Sequence, residues 1–108
     1  MNIVYHKGLT SKDWSKKDIF YQMANIGSEV FRMIKWKIKN KKNSQIAFER
    51  ALELLDLTLA DKGNKTSLKE IARVREALVD YNLDNEYKTT DEFWQKYFHG
   101  FNYAARLN

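Results

Sequence analysis

The sequence contains no cysteine and no proline, and it has only four glycines and two histidines in 108 residues. Without cysteine there is no disulfide, no thiol nucleophile and no thiolate metal site, so an oxidising compartment offers the chain nothing. Without proline no helix is interrupted from within, which permits long ones. The glycines, Gly8, Gly27, Gly63 and Gly100, build no phosphate loop or dinucleotide fingerprint, and no nucleophile elbow occurs. No catalytic triad can be named, and no cofactor is expected. No apolar run reaches bilayer-spanning length. The longest candidate, residues 19–38, is broken by Gln22, Asn25, Glu29 and Arg32. The opening stretch MNIVYHKGLTSKDW lacks the apolar core of a signal peptide. A cytoplasmic protein with no membrane association is the expectation.

What is present is ordinary globular material. Hydrophobic residues make up 44% and charged residues 31%, and a chain of this size buries enough surface for one core in one domain over residues 1–108. The net charge of +5 is unevenly placed: residues 1–42 hold 10 Lys/Arg against 3 Asp/Glu, a net +7, and residues 43–108 hold 9 against 11, a net −2. Such asymmetry suits an anionic partner, and equally two halves of one fold that attract each other.

Four segments show helical periodicity. The first, about 12–39, collects Ile19, Met23, Ile26, Val30, Met33 and Ile34 on one side, with Phe20, Gly27, Phe31 and Ile38 at its edge. The apolar arc is about 160° wide, enough to touch two neighbours. Ser11 or Ser15 is placed to cap it. The second, about 44–61, carries Phe48, Ala51, Leu52, Leu55 and Leu59, with Ala47, Leu54 and Thr58 beside them; Gly63 stands where a left-handed cap is expected. The third, about 67–83, opens on the capping box Ser67-x-x-Glu70 and turns Leu68, Ile71, Val74, Leu78, Val79 and Tyr81 inward. The fourth, about 90–107, opens on Thr89-x-x-Glu92 and gathers Phe93, Trp94, Tyr97, Phe98, Phe101, Ala104 and Ala105. Short connections place successive helices antiparallel. The expected fold is therefore an all-α, up-down-up-down four-helix bundle. A non-helical N-terminal arm, residues 1–10, precedes it, with Ile3-Val4-Tyr5 laid on the bundle or on a second subunit.

Several polar features interrupt this pattern. Gln22, Asn25, Glu29 and Arg32, extended by Trp36, lie within about 80° of one another on the first helix. They form either a groove wall or a solvated seam with a local Glu29–Arg32 pair. Glu49, Glu53 and Asp56 share a face of the second helix. A bundle metal centre needs Glu-x-x-His on two helices, which is absent here, so no metal site is expected. Arg75 interrupts the apolar arc of the third helix and requires an acidic partner if buried, either to fix helix register or to hold an anion. The polar ligand cluster predicted from these residues comprises Glu29, Arg32, Glu49, Glu53 and Arg75.

Two further surfaces suggest partners. Lys35, Lys37, Lys39, Lys41 and Lys42 surround Trp36, a combination that can hold a nucleic-acid backbone and stack a base, although lysines at a helix end also favour the helix dipole. The fourth helix carries more rings than one inward stripe needs. Trp94, Tyr97, Phe98, Phe101 and Tyr103 are candidates for a homodimer interface. Its polar side, Gln95, His99, Asn102 and Arg106, reads as a solvated face, because His99 has no carboxylate one turn away to orient it.

The strings QMANIGSEVFRMIKWK, AFERALELLDLTLADKG, IARVREALVDY, DNEY and TTDEFWQKYF resemble a family of small, functionally uncharacterised prokaryotic proteins. The likeness runs from about Trp14 to Arg106 and implies an all-helical single domain with no transferable active site. A looser similarity is to HEPN-type helical bundles, which pair with nucleotidyltransferases or act as ribonucleases. Their ribonuclease motif sets an Arg four to six residues before a His. Here the nearest Arg before His99 is Arg75, so the resemblance extends to bundle shape alone. The run AFERALEL also looks like the second helix of a tetratricopeptide unit, but a single copy builds no solenoid.

The expectation is a non-enzymatic interaction or regulatory module, self-associating through its last helix. The alternative is a nucleic-acid-binding or nucleotidyltransferase-associated accessory protein using the lysine run. A third class, a minimal enzyme, requires Glu29, Glu49, Glu53 and His99 to converge.

Overall fold

The computed structural model describes residues 5–107, and every regular element among them is helical. These are α1 (Ser11–Ser15), α2 (Ile19–Trp36), α3 (Lys41–Ala60), a 3-10 helix (Lys62–Ser67), α4 (Leu68–Asn82) and α5 (Asp91–Leu107). Ile3 and Val4 of the expected arm lie outside the described residues.

The first predicted helix is divided by its own capping residues. Asp18 leaves helical geometry and accepts the Tyr21 N–H at 2.9 Å, starting α2, while Thr10 accepts the Asp13 N–H at 3.0 Å and starts α1. Asp and Thr are strong N-caps, and they take the role expected of Ser11 or Ser15. The helix then ends at Trp36, not Lys39, because extended Asn40 accepts the Asn43 N–H and begins α3 at Lys41. Ile38, predicted at the core's edge, falls in the intervening turn and is 93% exposed.

Other signals shift in the same way. Gly63 makes no left-handed cap, since no described glycine has positive φ. Instead the Asp61 carboxylate accepts its N–H and turns the chain into the 3-10 helix. Ser67 makes no side-chain cap because that 3-10 turn runs directly into α4, and Glu70 accepts the Tyr97 hydroxyl instead. Thr90, not Thr89, caps α5 by accepting the Phe93 N–H, which leaves Thr89 to accept the Trp94 indole N–H. Positive φ occurs at Asn85 and Lys88 in the α4–α5 loop. The Asp80 carboxylate pins that loop by accepting the Glu86 and Tyr87 N–H groups.

The core is built around α2. Its residues Met23, Ile26, Val30 and Met33 are buried against Ala47, Phe48, Ala51, Leu54 and Leu55 of α3, Ile71, Val74 and Leu78 of α4, and Trp94 and Phe98 of α5. Leu52, Leu59 and Val79, expected inside, are only partly buried, and Leu68 and Phe93 are exposed. The helix faces are rotated slightly from the simplest wheel, which brings Leu57 inward in their place.

Three sets of contacts register the helices. The Ser44 hydroxyl donates to the Met33 carbonyl at 2.8 Å, joining α3 to α2. Asn82 of α4 reaches Gln45 of α3. Lys37, just beyond α2, donates to Tyr81 of α4 and Asp91 of α5, and Tyr81 donates to Asp91. The Tyr81 hydrogen bond lowers the Asp91 pKa against the effect of burial, and burial together with Asp91 raises that of Tyr81.

A buried polar network locks the other end. Gln22, expected on a groove wall or a solvated seam, is fully buried. It donates to the Trp14 carbonyl and to Asp61, and it accepts from Asn64. Asn64 also donates to the Thr58 carbonyl, and the Trp14 indole donates to the Thr58 hydroxyl. One glutamine thus ties α1, α2, the end of α3 and the 3-10 helix together, with both ends of its amide satisfied.

Gly27 sets the approach of α5. A Cβ there would sit 2.7 Å from the Phe98 Cβ and 2.9 Å from its Cγ, on a side chain that is itself fully buried. Gly27→Ala gains about 1 kcal/mol of helix propensity but overpacks this contact by about 1–3 kcal/mol. The variant is expected to unfold at lower urea concentration than the native chain. A raised midpoint would show that α2 and α5 do not meet there.

Candidate functional site

The densest polar cluster lies where the start of the described chain crosses α2 and α3, and its centre is Glu29. This side chain is 4% exposed and holds one arginine on each oxygen. Arg32 Nη1 donates to Oε1 at 2.6 Å, and Arg50 Nε donates to Oε2 at 2.7 Å. The first contact is a local i,i+3 pair and the second bridges α2 to α3. A carboxylate so removed from water requires such partners, because burying it unpaired costs several kcal/mol.

Glu53 stands beside it, one helical turn beyond Arg50 on α3. It accepts the backbone N–H groups of Tyr5 at 3.1 Å and His6 at 2.7 Å, and its Oε1 lies 2.7 Å from His6 Nδ1. The other ring nitrogen of His6 is 3.9 Å from Glu29. Farther out, the Tyr5 hydroxyl donates to Glu49, which also accepts from Gln45 at 3.1 Å. The Tyr5 hydrogen bond, then that of Gln45, holds the Glu49 pKa below its ordinary range, and the same carboxylate raises that of Tyr5. Two glutamates one turn apart on α3 therefore fasten an otherwise non-helical segment. Beneath that segment a cavity of about 510 Å³ is lined by Tyr5–Leu9, Tyr21, Asn25, Ser28, Glu29, Arg32 and Arg50 among others.

Glu29, Arg32, Glu49 and Glu53 of the predicted ligand cluster thus come together. Arg75 does not join them. It stands on α4, farther along α3, forked onto Asp56 through Nε at 2.7 Å and Nη2 at 3.4 Å. Its side chain is 36% exposed, so it makes a surface pair and not an internal one. The line Glu49-Glu53-Asp56 keeps one face of α3 but is spread along its axis, so Glu49 and Glu53 reach the arm while Asp56, farther along, meets Arg75 of α4. His99 is exposed on α5, away from the carboxylates, and the histidine that meets them is His6. Among the described residues no group of three or more His, Asp or Glu is placed to hold a metal.

Arg50 and His6 are not among the sequence-predicted site residues, and Tyr5, expected in an arm laid on the bundle or on a second subunit, docks on the glutamates of α3. For Arg50 the spacing offers only an i,i+3 relation to Glu53, which says nothing of its pairing with Glu29 across α2 and α3. For His6, and for which residues anchor Tyr5, no signal existed, because a segment without periodicity does not announce where it docks.

The other predicted surfaces are split. Trp94 and Phe98, expected at a dimer interface, are buried in the core because they face Gly27 and α2. Tyr97 and Phe101 are half-buried, and Tyr103 is 63% exposed. In the lysine run, Lys37 is tied to Asp91 and Tyr81, while the Lys35 ammonium lies 5.7 Å from the ring of half-buried Trp36. Lys39, Lys41 and Lys42 are exposed. No described helix is long and apolar enough to cross a membrane. Comparisons with protein-family models, curated proteins and solved structures give no match.

The two arginine environments predict opposite outcomes. Arg75→Met is expected to change unfolding free energy by less than about 1 kcal/mol, since its pair is solvent-screened. Replacing Arg32 and Arg50 together by Met strands a buried carboxylate and is expected to cost about 3–5 kcal/mol. Equal effects in urea denaturation would show that Glu29 is not buried as described.

Proposed function

We propose that α2, α3, α4 and α5 form one antiparallel up-down-up-down four-helix bundle that serves as a non-enzymatic helical interaction module, and that two copies associate through α5. Several register contacts support the bundle. Met33 meets Ser44 and Glu29 meets Arg50 between α2 and α3. Glu70 meets Tyr97 and Tyr81 meets Trp94 between α4 and α5. In each pair, ascending numbers on one helix meet descending numbers on the next.

The observation that carries the association is a row of rings left outside the core. Phe93 and Tyr97 stack at 6.3 Å, Tyr97 meets Phe101 at 5.3 Å, and Phe101 meets Phe20 of α2 at 6.4 Å. Phe93 is 48% and Phe20 is 40% exposed. An apolar groove of about 360 Å³, with Val74 and Ala77 on its α4 wall, continues from Phe93 and Tyr97. A contiguous apolar strip on a charged surface is characteristic of a contact site, and a two-fold pairing is the commonest way to cover one. Tyr103, two residues past Phe101, projects to another side of α5 and lies off the strip. The carboxylates near His6 already hold partners, which favours binding over acid–base chemistry.

Sedimentation velocity over a wide concentration range tests this reading. The native chain is expected to move toward a dimer as concentration rises, and Phe20→Lys with Phe93→Lys to remain monomeric with unchanged helicity. A native chain that stays monomeric at the highest concentration would remove the proposal.

A further inference from the structure

Glu29 could be neutralised by a single arginine forked across both oxygens, as Arg75 is forked on Asp56. It is held instead by two arginines, each through one nitrogen. A guanidinium carries five N–H donors, so most donors of both groups remain uncommitted. No other side-chain hydrogen bond of Arg32 or Arg50 occurs among the described residues. Both side chains reach solvent, at 59% and 36% exposure, and both line the cavity under the Tyr5–Leu9 segment.

From this geometry we infer that the cavity between the N-terminal segment, α2 and α3 is an anion site that takes a small organic phosphate monoester. Glu29 acts as a positioning residue: it fixes two planar forks side by side from beneath and leaves their outer edges open. Paired forks of this kind match the oxygens of a phosphate. Lys7, on the overlying segment, also lines the cavity, so the lining carries three cations against the one carboxylate of Glu29, while Glu49 and Glu53 stand behind that segment with their own partners. The volume, about 510 Å³, is that of a small-molecule pocket and far more than a bare phosphate fills. Tyr21, with its ring partly exposed, Asn25 and Ser28 supply an aromatic and polar floor for the organic part. The roof is held by Glu53 through the Tyr5 and His6 backbone.

The site is separate from the α5 strip, so it stands or falls independently of self-association. Calorimetric titration of the full chain with adenosine monophosphate, adenosine and inorganic phosphate tests it. The monophosphate is expected to bind, adenosine to bind about tenfold more weakly or not at all, and phosphate alone to bind more weakly than the monophosphate. Arg32→Gln and Arg50→Gln, each of which leaves Glu29 one arginine and the fold intact by circular dichroism, are expected to weaken the monophosphate about tenfold or more. Glu29→Gln is expected to weaken it as well, although it removes a negative charge, because the forks lose their anchor. No binding of the monophosphate at about 10 mM, equal affinity for adenosine, or affinity unchanged in both arginine variants would overturn the inference. So would tighter binding in Glu29→Gln, the result expected of simple charge counting.

Discussion

A carboxylate almost out of contact with water organises this molecule. Glu29 sits on the central helix, between residues that belong to the core, and its burial is tolerated only because Arg32 and Arg50 each take one oxygen. Once that pair is formed, the position of α3 along α2 is set, since Arg50 must lie opposite Glu29. The same register places Ser44 under the Met33 carbonyl and brings Glu49 and Glu53 to the edge where Tyr5 and His6 dock. Buried ionic groups are weak sources of stability but effective selectors of one arrangement over its neighbours. A slip of one turn between α2 and α3 would leave Glu29 without Arg50 and would also break the contacts of Gln22.

Two points along α2 use the same device in different chemistry. At its N-terminal end the neutral amide of Gln22 gathers Trp14, Asp61 and Asn64 into a closed network. Near its middle the ionic cluster of Glu29 is open on one side, where its arginines reach solvent and a cavity. A closed network has nothing left to offer a ligand. The open cluster retains donors, and this difference separates a structural lock from a candidate binding site.

Much of the fold was legible in the chain. Absent proline, apolar residues at helical spacing and short polar connections gave an all-helical chain and the approximate extent of its third and fourth helical segments. What was misread was local. The stop at Trp36 and the break before Ile19 depend on whether Asn40, Thr10 and Asp18 adopt extended backbone, a choice made by packing and not by periodicity. The polar line Gln22, Asn25, Glu29 and Arg32 was recognised as a feature. Whether such a line meets water or another helix depends on the partner, and here α3 brought Arg50 while the 3-10 helix brought Asn64. An arm carrying Tyr5 was expected on the bundle or on a second subunit, but its anchoring through Tyr5 and His6 on Glu49 and Glu53 is encoded by nothing in their spacing. Arg75 erred in the other direction: its place in an apolar arc suggested burial, but the edge of α4 leaves it half in water.

The pairing of Glu29 with Arg50 carries this account, and a double-mutant cycle measures it directly. Unfolding free energies of the native chain, Glu29→Gln, Arg50→Gln and the double variant give the coupling between the two side chains without the separate cost of either change. A charge-assisted bond with one partner buried predicts a coupling of about 1–3 kcal/mol. A coupling indistinguishable from zero would mean that Glu29 does not meet Arg50, and the register of α2 on α3 would have to be sought elsewhere.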